Sequence, residues 1–401
     1  MDNLYIARQP IYNRDQTVVG YELLYRSSNI NSADVDDDNK ATLDTILNSF
    51  MHIGLENIVG SALAFVNLPS DFVTNQALTP MFRGQCVLEI LESVPPTTQV
   101  ISGLKYLKQQ GYQIALDDFE YTPRHTAFLE LADFVKLDVN NKSEDLIRAQ
   151  LAQLAAHKVK VVAEKVETPE MHALCSKLDF DYFQGYFYCR PQMITQKHIP
   201  ANKLVVLNLL ARLQNPAVDF ADIESVLSQD ISLTYKLLRY INSATFSRRK
   251  EINSIKDAVV LLGLNNVRNW LSLILMSKVV SNKPIELIVT AMVRGKMCEL
   301  LAAKHNPQIA PQMFLVGLFT VIDALMDMPM ADLLDTVVLS TPIRMALLDQ
   351  SGAQGEILSN ILNYEEGNWD ELLKCDTCPE LFTNIYLQSI RWAEETTAAL
   401  R

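Results

Sequence analysis

A series of short apolar runs in the first half of the chain, each ending in a polar group, leaves few folds open. In order these groups are Glu22 after Val19-Gly20-Tyr21, Asn67 after Ala64-Phe65-Val66, Glu89 after Val87-Leu88, the pair Asp117 and Asp118 after Ile114-Ala115-Leu116, Lys136 after Phe134-Val135, and Glu164 after Val161-Val162-Ala163. Runs of this kind between helix-like stretches read as buried parallel strands. The strand-like 112–117 and 158–163 and the amphipathic 143–157 are examples. Alternation of this sort implies an α/β fold with a parallel sheet. Polar groups set repeatedly at strand ends fit a barrel whose chemistry sits on its C-terminal face. Taken singly, each is an ordinary surface residue; the ordered series carries the weight.

Bulk properties narrow the classes further. At 401 residues the chain is long enough for two domains. A net charge of −12 argues against a general nucleic-acid or anionic-membrane binder. The basic cluster Arg248-Arg249-Lys250 is too short to change that and reads as a solvated loop. No run reaches the ~18 apolar residues of a membrane span. The N-terminus lacks the regions of a signal peptide, so the expectation is a cytoplasmic protein. Cys375 and Cys378 form one close pair with no second pair to complete a zinc ribbon, and they read as reduced thiols. The acidic stretch Asp34, Asp36, Asp37 and Asp38 lacks the glycine and closing glutamate of a calcium loop.

The pattern changes at Pro191 to Asn202. Beyond it strand signals fade, and Leu204, Leu207, Leu210 and Leu213 recur at helical spacing. Helical stretches then cover about 254–279, 285–305, 311–326, 330–338, 341–349, 354–363 and 380–400. The expected domains are 1–198, an α/β barrel, and 199–401, all helical.

The first part resembles the EAL family of cyclic di-GMP phosphodiesterases over roughly residues 1–200. The residues that carry it are Gln9-Pro10-Ile11, Gly20 to Arg26, Val66-Asn67, Glu89 to Glu92, Asp117-Asp118-Phe119, Lys136-Leu137-Asp138, Ala163 to Glu167 and Gln184-Gly185-Tyr186. The naming tripeptide here is Glu22-Leu23-Leu24. The resemblance implies a modified TIM-type barrel and a two-metal hydrolysis of cyclic di-GMP to the linear dinucleotide. Hard oxygen ligands suit Mg2+ or Mn2+, and two such ions polarise a phosphoryl group and activate a water. By that resemblance Glu22, Asn67, Glu89, Asp117 and Asp118 hold the metals. Glu164 joins them or orients the water, and Lys136 positions the nucleophile. Arg26 pairs with a substrate phosphate and Gln184 completes the site.

The loop after the double aspartate departs from the family. Where Phe-Gly-Thr-Gly-Tyr-Ser is usual, residues 119–125 read Phe119-Glu120-Tyr121-Thr122-Pro123-Arg124-His125. Both glycines are gone, so the loop must take another path. Glu92, which anchors this loop in the family and through it couples the site to a homodimer interface, is retained. Leu91 replaces the usual Thr and Lys165 the usual Gly. His125 reads as a surface loop residue.

The second part resembles the HDOD module through Ser228 to Leu233, Tyr240 to Ala244, Ile252 to Ile255 and Leu261 to Leu264, with Gly263 placed to end a helix. HDOD modules are relatives of metal-dependent HD enzymes. Where those carry His-Asp, this chain has Gly317 to Val321, and His305, read as a helix-end residue, stands alone. This half is expected to regulate the first or dock a protein partner. Two readings follow: a phosphodiesterase, favoured by the complete ligand series, or a noncatalytic cyclic di-GMP sensor or scaffold, favoured by the altered loop. The resemblance implies a role in the choice between motility and biofilm.

Overall fold

Side chains of an extended strand alternate between two faces, and eight strands here close into a barrel that uses this alternation throughout. The structure, a computed structural model, describes residues 4–27, 54–68, 73, 84–122, 125–185, 187, 201–213, 218–228, 237, 241, 255–279, 283–337, 339–375 and 377–400. The strands are β1 (Leu4–Asn13), β2 (Val18–Ser27), β3 (Leu63–Leu68), β4 (Cys86–Ile90), β5 (Gln113–Leu116), β6 (Phe134–Asp138), β7 (Lys160–Glu164) and β8 (Tyr182–Gln184). They pair in sequence order, and β8 closes onto β1.

The sheet is not wholly parallel, as the alternation alone suggests. From β2 to β8 every pair is parallel, but β1 runs antiparallel to both neighbours. The cause is the short link after Asn13. Thr17 N–H donates to Asn13 Oδ1 at 2.9 Å, and Gln16 sits at φ +59°. A tight turn of this length can join only antiparallel strands, since a parallel pair needs a crossover of a dozen residues or more.

Ile11, Phe65, Val87, Ala115, Phe134 and Val162, one from each of six strands, form an apolar layer inside the barrel, with Tyr182 packed against it. Gly20 of β2 leaves room for this layer: a Cβ there would stand 2.7 Å from the Phe65 ring. Two residues on, facing the same way, come Glu22, Asn67, Glu89, Asp117, Lys136, Glu164 and Gln184. Two residues back along the reversed β1 is Gln9. The polar set is therefore the next layer of one barrel interior, stacked on the apolar one toward the strands' C-terminal ends.

Three helices outside the barrel start at side-chain caps. Thr97 Oγ1 accepts from Val100 N–H, Ser143 Oγ from Leu146 N–H and Thr168 Oγ1 from Met171 N–H, with Pro169 in the first turn of the third.

The chain forms two compact units. The first holds 1–188 with 365–369 and 376–383, and the second holds the remainder. Helices dominate the second unit: Ala201–Leu213, Phe220–Ser228, Ile255–Leu262, Leu264–Val279, Ile285–His305, Ala310–Phe319, Ile322–Met326, Met330–Thr336, Thr341–Asp349 and Gly352–Glu365, then Pro379–Leu400, which both units share. Gly263, at φ +80°, separates two helices bent by 110°. The expected helix 311–326 is broken at Thr320 and Val321. Gly317 permits the close crossing of its helix with Ile285–His305, because a Cβ there would stand 2.5 Å from the Arg294 and Gly295 backbone. Among the described residues no single helix is long and apolar enough to cross a membrane.

Candidate active site

Lys136, in the middle of β6, is fully buried. Its Nζ lies 3.0 Å from Glu22 Oε2, 2.8 Å from Glu89 Oε1, 2.7 Å from Asp117 Oδ1 and 2.9 Å from Glu164 Oε1. Gln184 Nε2 donates to Glu22 Oε2 at 2.6 Å and to Gln9 Oε1 at 2.8 Å. Asn67 Nδ2 donates to Glu22 Oε1 at 3.4 Å. Glu22 is thus the hub, accepting from three side chains.

The charges do not balance. An ammonium has three protons, and four carboxylates surround this one. Burial alone would lower the Lys136 pKa, but Glu89, Glu22, Glu164 and Asp117 together hold it well above the usual lysine value. Burial also opposes ionisation of Glu22, yet Lys136 with the Gln184 and Asn67 amides brings its pKa below the ordinary carboxylate value. The other acids do less well. Burial raises Asp117, pushes Glu89 well up, and brings Glu164 to about 7, with only partial relief from Lys136. One cation is too few for this layer.

The oxygens left over match that deficit. Glu89 Oε2, Glu164 Oε2, Asn67 Oδ1 and Gln184 Oε1 are buried without a hydrogen-bond partner. Glu89 Oε1 and Asp117 Oδ1 lie within ion-pair distance of Lys136 but outside hydrogen-bond geometry. All are acceptors, and all are hard oxygens, the donors that Mg2+ and Mn2+ take. In this arrangement the acids close on the ammonium, and among the described residues no group of three or more His, Cys, Asp or Glu is placed to hold a metal ion. The donor set fits a divalent ion in chemistry and charge.

Asp118 stands apart from this cluster. It is half exposed and pairs with Lys165 Nζ at 3.4 Å, while the same ammonium holds Asp138 Oδ2 at 2.6 Å. Both Asp118 and Lys165 have left-handed backbone, at φ +43° and +56°. Asp138, Lys165 and Gln9 join the site without being among its expected residues. Asp138 has a signal in the sequence, since it is two residues past Lys136 on one strand and so shares its face. Gln9 is the register partner of Glu22, a pairing that only the antiparallel β1 creates.

Of the remaining expected residues, Arg26 is in β2, but its side chain lies outside the described residues. The acidic stretch at 34–38, the basic cluster at 248–250, Pro191, Pro200 and much of the second resemblance's motif also lie outside them. Glu92 is exposed and, among the described residues, makes no hydrogen bond or ion pair, although it lines a small pocket with Phe119, Glu120 and His125. The altered loop has supports of its own. Phe119 is buried and its N–H donates to Lys136 O at 3.0 Å. His125, partly exposed as expected of a surface loop, stacks on Phe128 at 6.1 Å, sits 5.7 Å from the Phe119 ring and has Nδ1 3.0 Å from Glu120 O.

In the second unit His305 ends its helix, as expected. Gly317 to Phe319 are buried within a helix. Asp323 is raised to about 6 by burial, with Arg294 opposing the shift. The Cys375 thiol donates to Leu372 O at 2.9 Å, and Cys378 is exposed.

Gly185 follows Gln184 at φ +151°, where a Cβ would stand 2.1 Å from Val166 O. Gly185→Ala is therefore expected to push Gln184 off Glu22 and to cost about 2 kcal/mol. Urea unfolding would measure the loss.

Comparison with known proteins gives two domain matches in order: an EAL domain at residues 71–191 and an HDOD domain at 199–336. Glu22 and Asn67 precede the first match, yet the barrel brings them into its polar layer. The chain is 32% identical over 375 residues to CdgJ of Vibrio cholerae, covering 92% of this chain and 86% of that one. It is 33% identical over 407 residues to YuxH of Bacillus subtilis, covering 97% and 98%. An EAL domain protein of Listeria monocytogenes is a remote structural likeness, with 21% identity, 46% and 87% coverage and a TM-score of 0.35.

Proposed function

The chain belongs to the family of proteins that join an EAL domain to an HDOD domain, and from that premise we propose that it hydrolyses cyclic di-GMP to the linear dinucleotide. The Vibrio relative is named a cyclic di-GMP phosphodiesterase. The observation that carries the reading is the buried layer of four carboxylates around one ammonium, with acceptor oxygens to spare. A dianionic substrate cannot approach such a layer unless further cations neutralise it.

Mg2+ or Mn2+ held by Glu22, Asn67, Glu89, Asp117, Asp118 and Glu164 would supply that charge, polarise the phosphoryl group and acidify a water. The chain's own groups do the rest. Lys136, whose ammonium lies among the four acids, would position the attacking oxygen through its protons. Glu164, beside Lys136 in the layer, would join the metal site or help orient that water. Gln184 keeps Glu22 turned inward, and Arg26 meets a substrate phosphate.

The domains divide at 198 and 199, and the helical half regulates the first or docks a protein partner. A nucleotide substrate places the protein in the cytoplasm, with motility and biofilm as the processes served. The Asp118–Lys165 pair favours a second reading, in which the barrel binds the dinucleotide without turnover. Incubating the full chain with cyclic di-GMP and Mn2+ or Mg2+ and separating the products decides between them. Linear dinucleotide that appears with metal and vanishes with chelator is expected. Unchanged substrate at high enzyme concentration would leave the sensor reading.

A further inference from the structure

Lys165 is a half-exposed ammonium within reach of two carboxylates, 2.6 Å from Asp138 and 3.4 Å from Asp118. It immediately follows Glu164, whose carboxylate is in the Lys136 cluster. Two features argue that the pair is more than a surface contact. Both partners have positive φ without being glycine. A glycine at 165 would meet that backbone requirement without strain, so the side chain is what the position gains. The charge pattern of the buried layer is also repeated at its rim, where one ammonium answers two acids.

We propose that Lys165 acts as an internal counter-ion that competes with a divalent cation for Asp118, so that loading of the ion at this aspartate is weakened. This rests on the phosphodiesterase reading, in which Asp118 is a metal ligand. The geometry gives the competition a direction. Asp138 is the nearer partner and accepts from Asn140 N–H at 2.7 Å, which fixes it in place. Asp118 is the longer contact and the one that can let go. When a cation arrives, Asp118 turns to it and Lys165 stays on Asp138. Lys165 is thus a positioning residue that sets how much free metal the enzyme needs.

The test is Mn2+ binding to the full-length protein without substrate, followed by the electron paramagnetic resonance signal of free Mn2+. The native chain is expected to bind one ion well and a second weakly. Lys165→Met, which keeps the side chain's bulk, and Lys165→Gly, which removes the strain, should each tighten the second ion at least tenfold. Lys165→Arg should leave it weak. Asp118→Asn added to Lys165→Met should abolish the gain. Unchanged second-ion affinity in both Lys165→Met and Lys165→Gly, with the first ion still bound, would overturn the proposal and leave the metal site standing. No Mn2+ bound by any of these proteins would overturn the metal site itself and this proposal with it.

Discussion

Lys136→Met is expected to destabilise the metal-free protein by about 3–5 kcal/mol, the loss seen when one partner of a buried ion pair is removed. The native ammonium is the shared counter-ion of Glu22, Glu89, Asp117 and Glu164. Methionine fills its volume and leaves four acids facing one another. Mn2+ should then recover stability to a greater extent in the variant than in the native chain, because the ion replaces a missing charge. Turnover should not recover with it. In the proposed reaction Lys136 also orients the attacking oxygen, and loss of a positioned group of this kind costs on the order of 10²–10³ in rate. Urea unfolding with and without Mn2+, beside product analysis, separates the two effects.

Glu22→Gln and Glu89→Gln are expected to lose turnover alike and to change metal-free stability in opposite directions. The sign follows from their pKa directions. Glu22 is held below its ordinary value, so its carboxylate stabilises the fold at pH above that ordinary value, and the contribution is lost as pH falls through the lowered one. Glutamine removes that gain and leaves the Lys136, Gln184 and Asn67 donors facing a poorer acceptor. Glu89 is held well above its ordinary value, chiefly by burial, so above that value its ionisation works against the fold. Glutamine there removes a repulsion toward Glu22 and Asp117. Each change in stability should be on the order of 1 kcal/mol. Each loss of rate should exceed the 10–100-fold typical of a residue that only supports a metal ligand. Equal signs in the two unfolding curves would contradict the charge balance drawn for the layer.

Much of this site is legible in the amino-acid sequence, because a barrel converts period-2 spacing into position. Val87 and Glu89, Phe134 and Lys136, and Val162 and Glu164 are each two residues apart, so one apolar layer and one polar layer follow from the strands' own spacing. In sequence the polar groups read as strand ends, but Glu22 and Lys136 lie within their strands. They belong to the site because they face inward, not because they terminate anything. Chain direction is what spacing does not carry. The reversal of β1 depends on the Asn13 to Thr17 turn, and it is this reversal that puts Gln9 beside Glu22. Nor does spacing carry Lys165 as the partner of Asp118, since that contact joins two left-handed residues 47 positions apart. The rings that His125 packs against, Phe119 and Phe128, are likewise not set by spacing.

Divalent cations are expected against the acidic layer around Lys136 when cyclic di-GMP is bound. Crystals of the full chain grown with Mn2+ and a slowly cleaved analogue of the dinucleotide would place the ions by their anomalous signal. Peaks are expected at about 2.0–2.2 Å from oxygens of Glu22, Asn67, Glu89 and Asp117, with Lys136 Nζ withdrawn from at least one of its four acids. Bound dinucleotide with no ion in the layer, and all four carboxylates still closed on Lys136, would contradict this expectation.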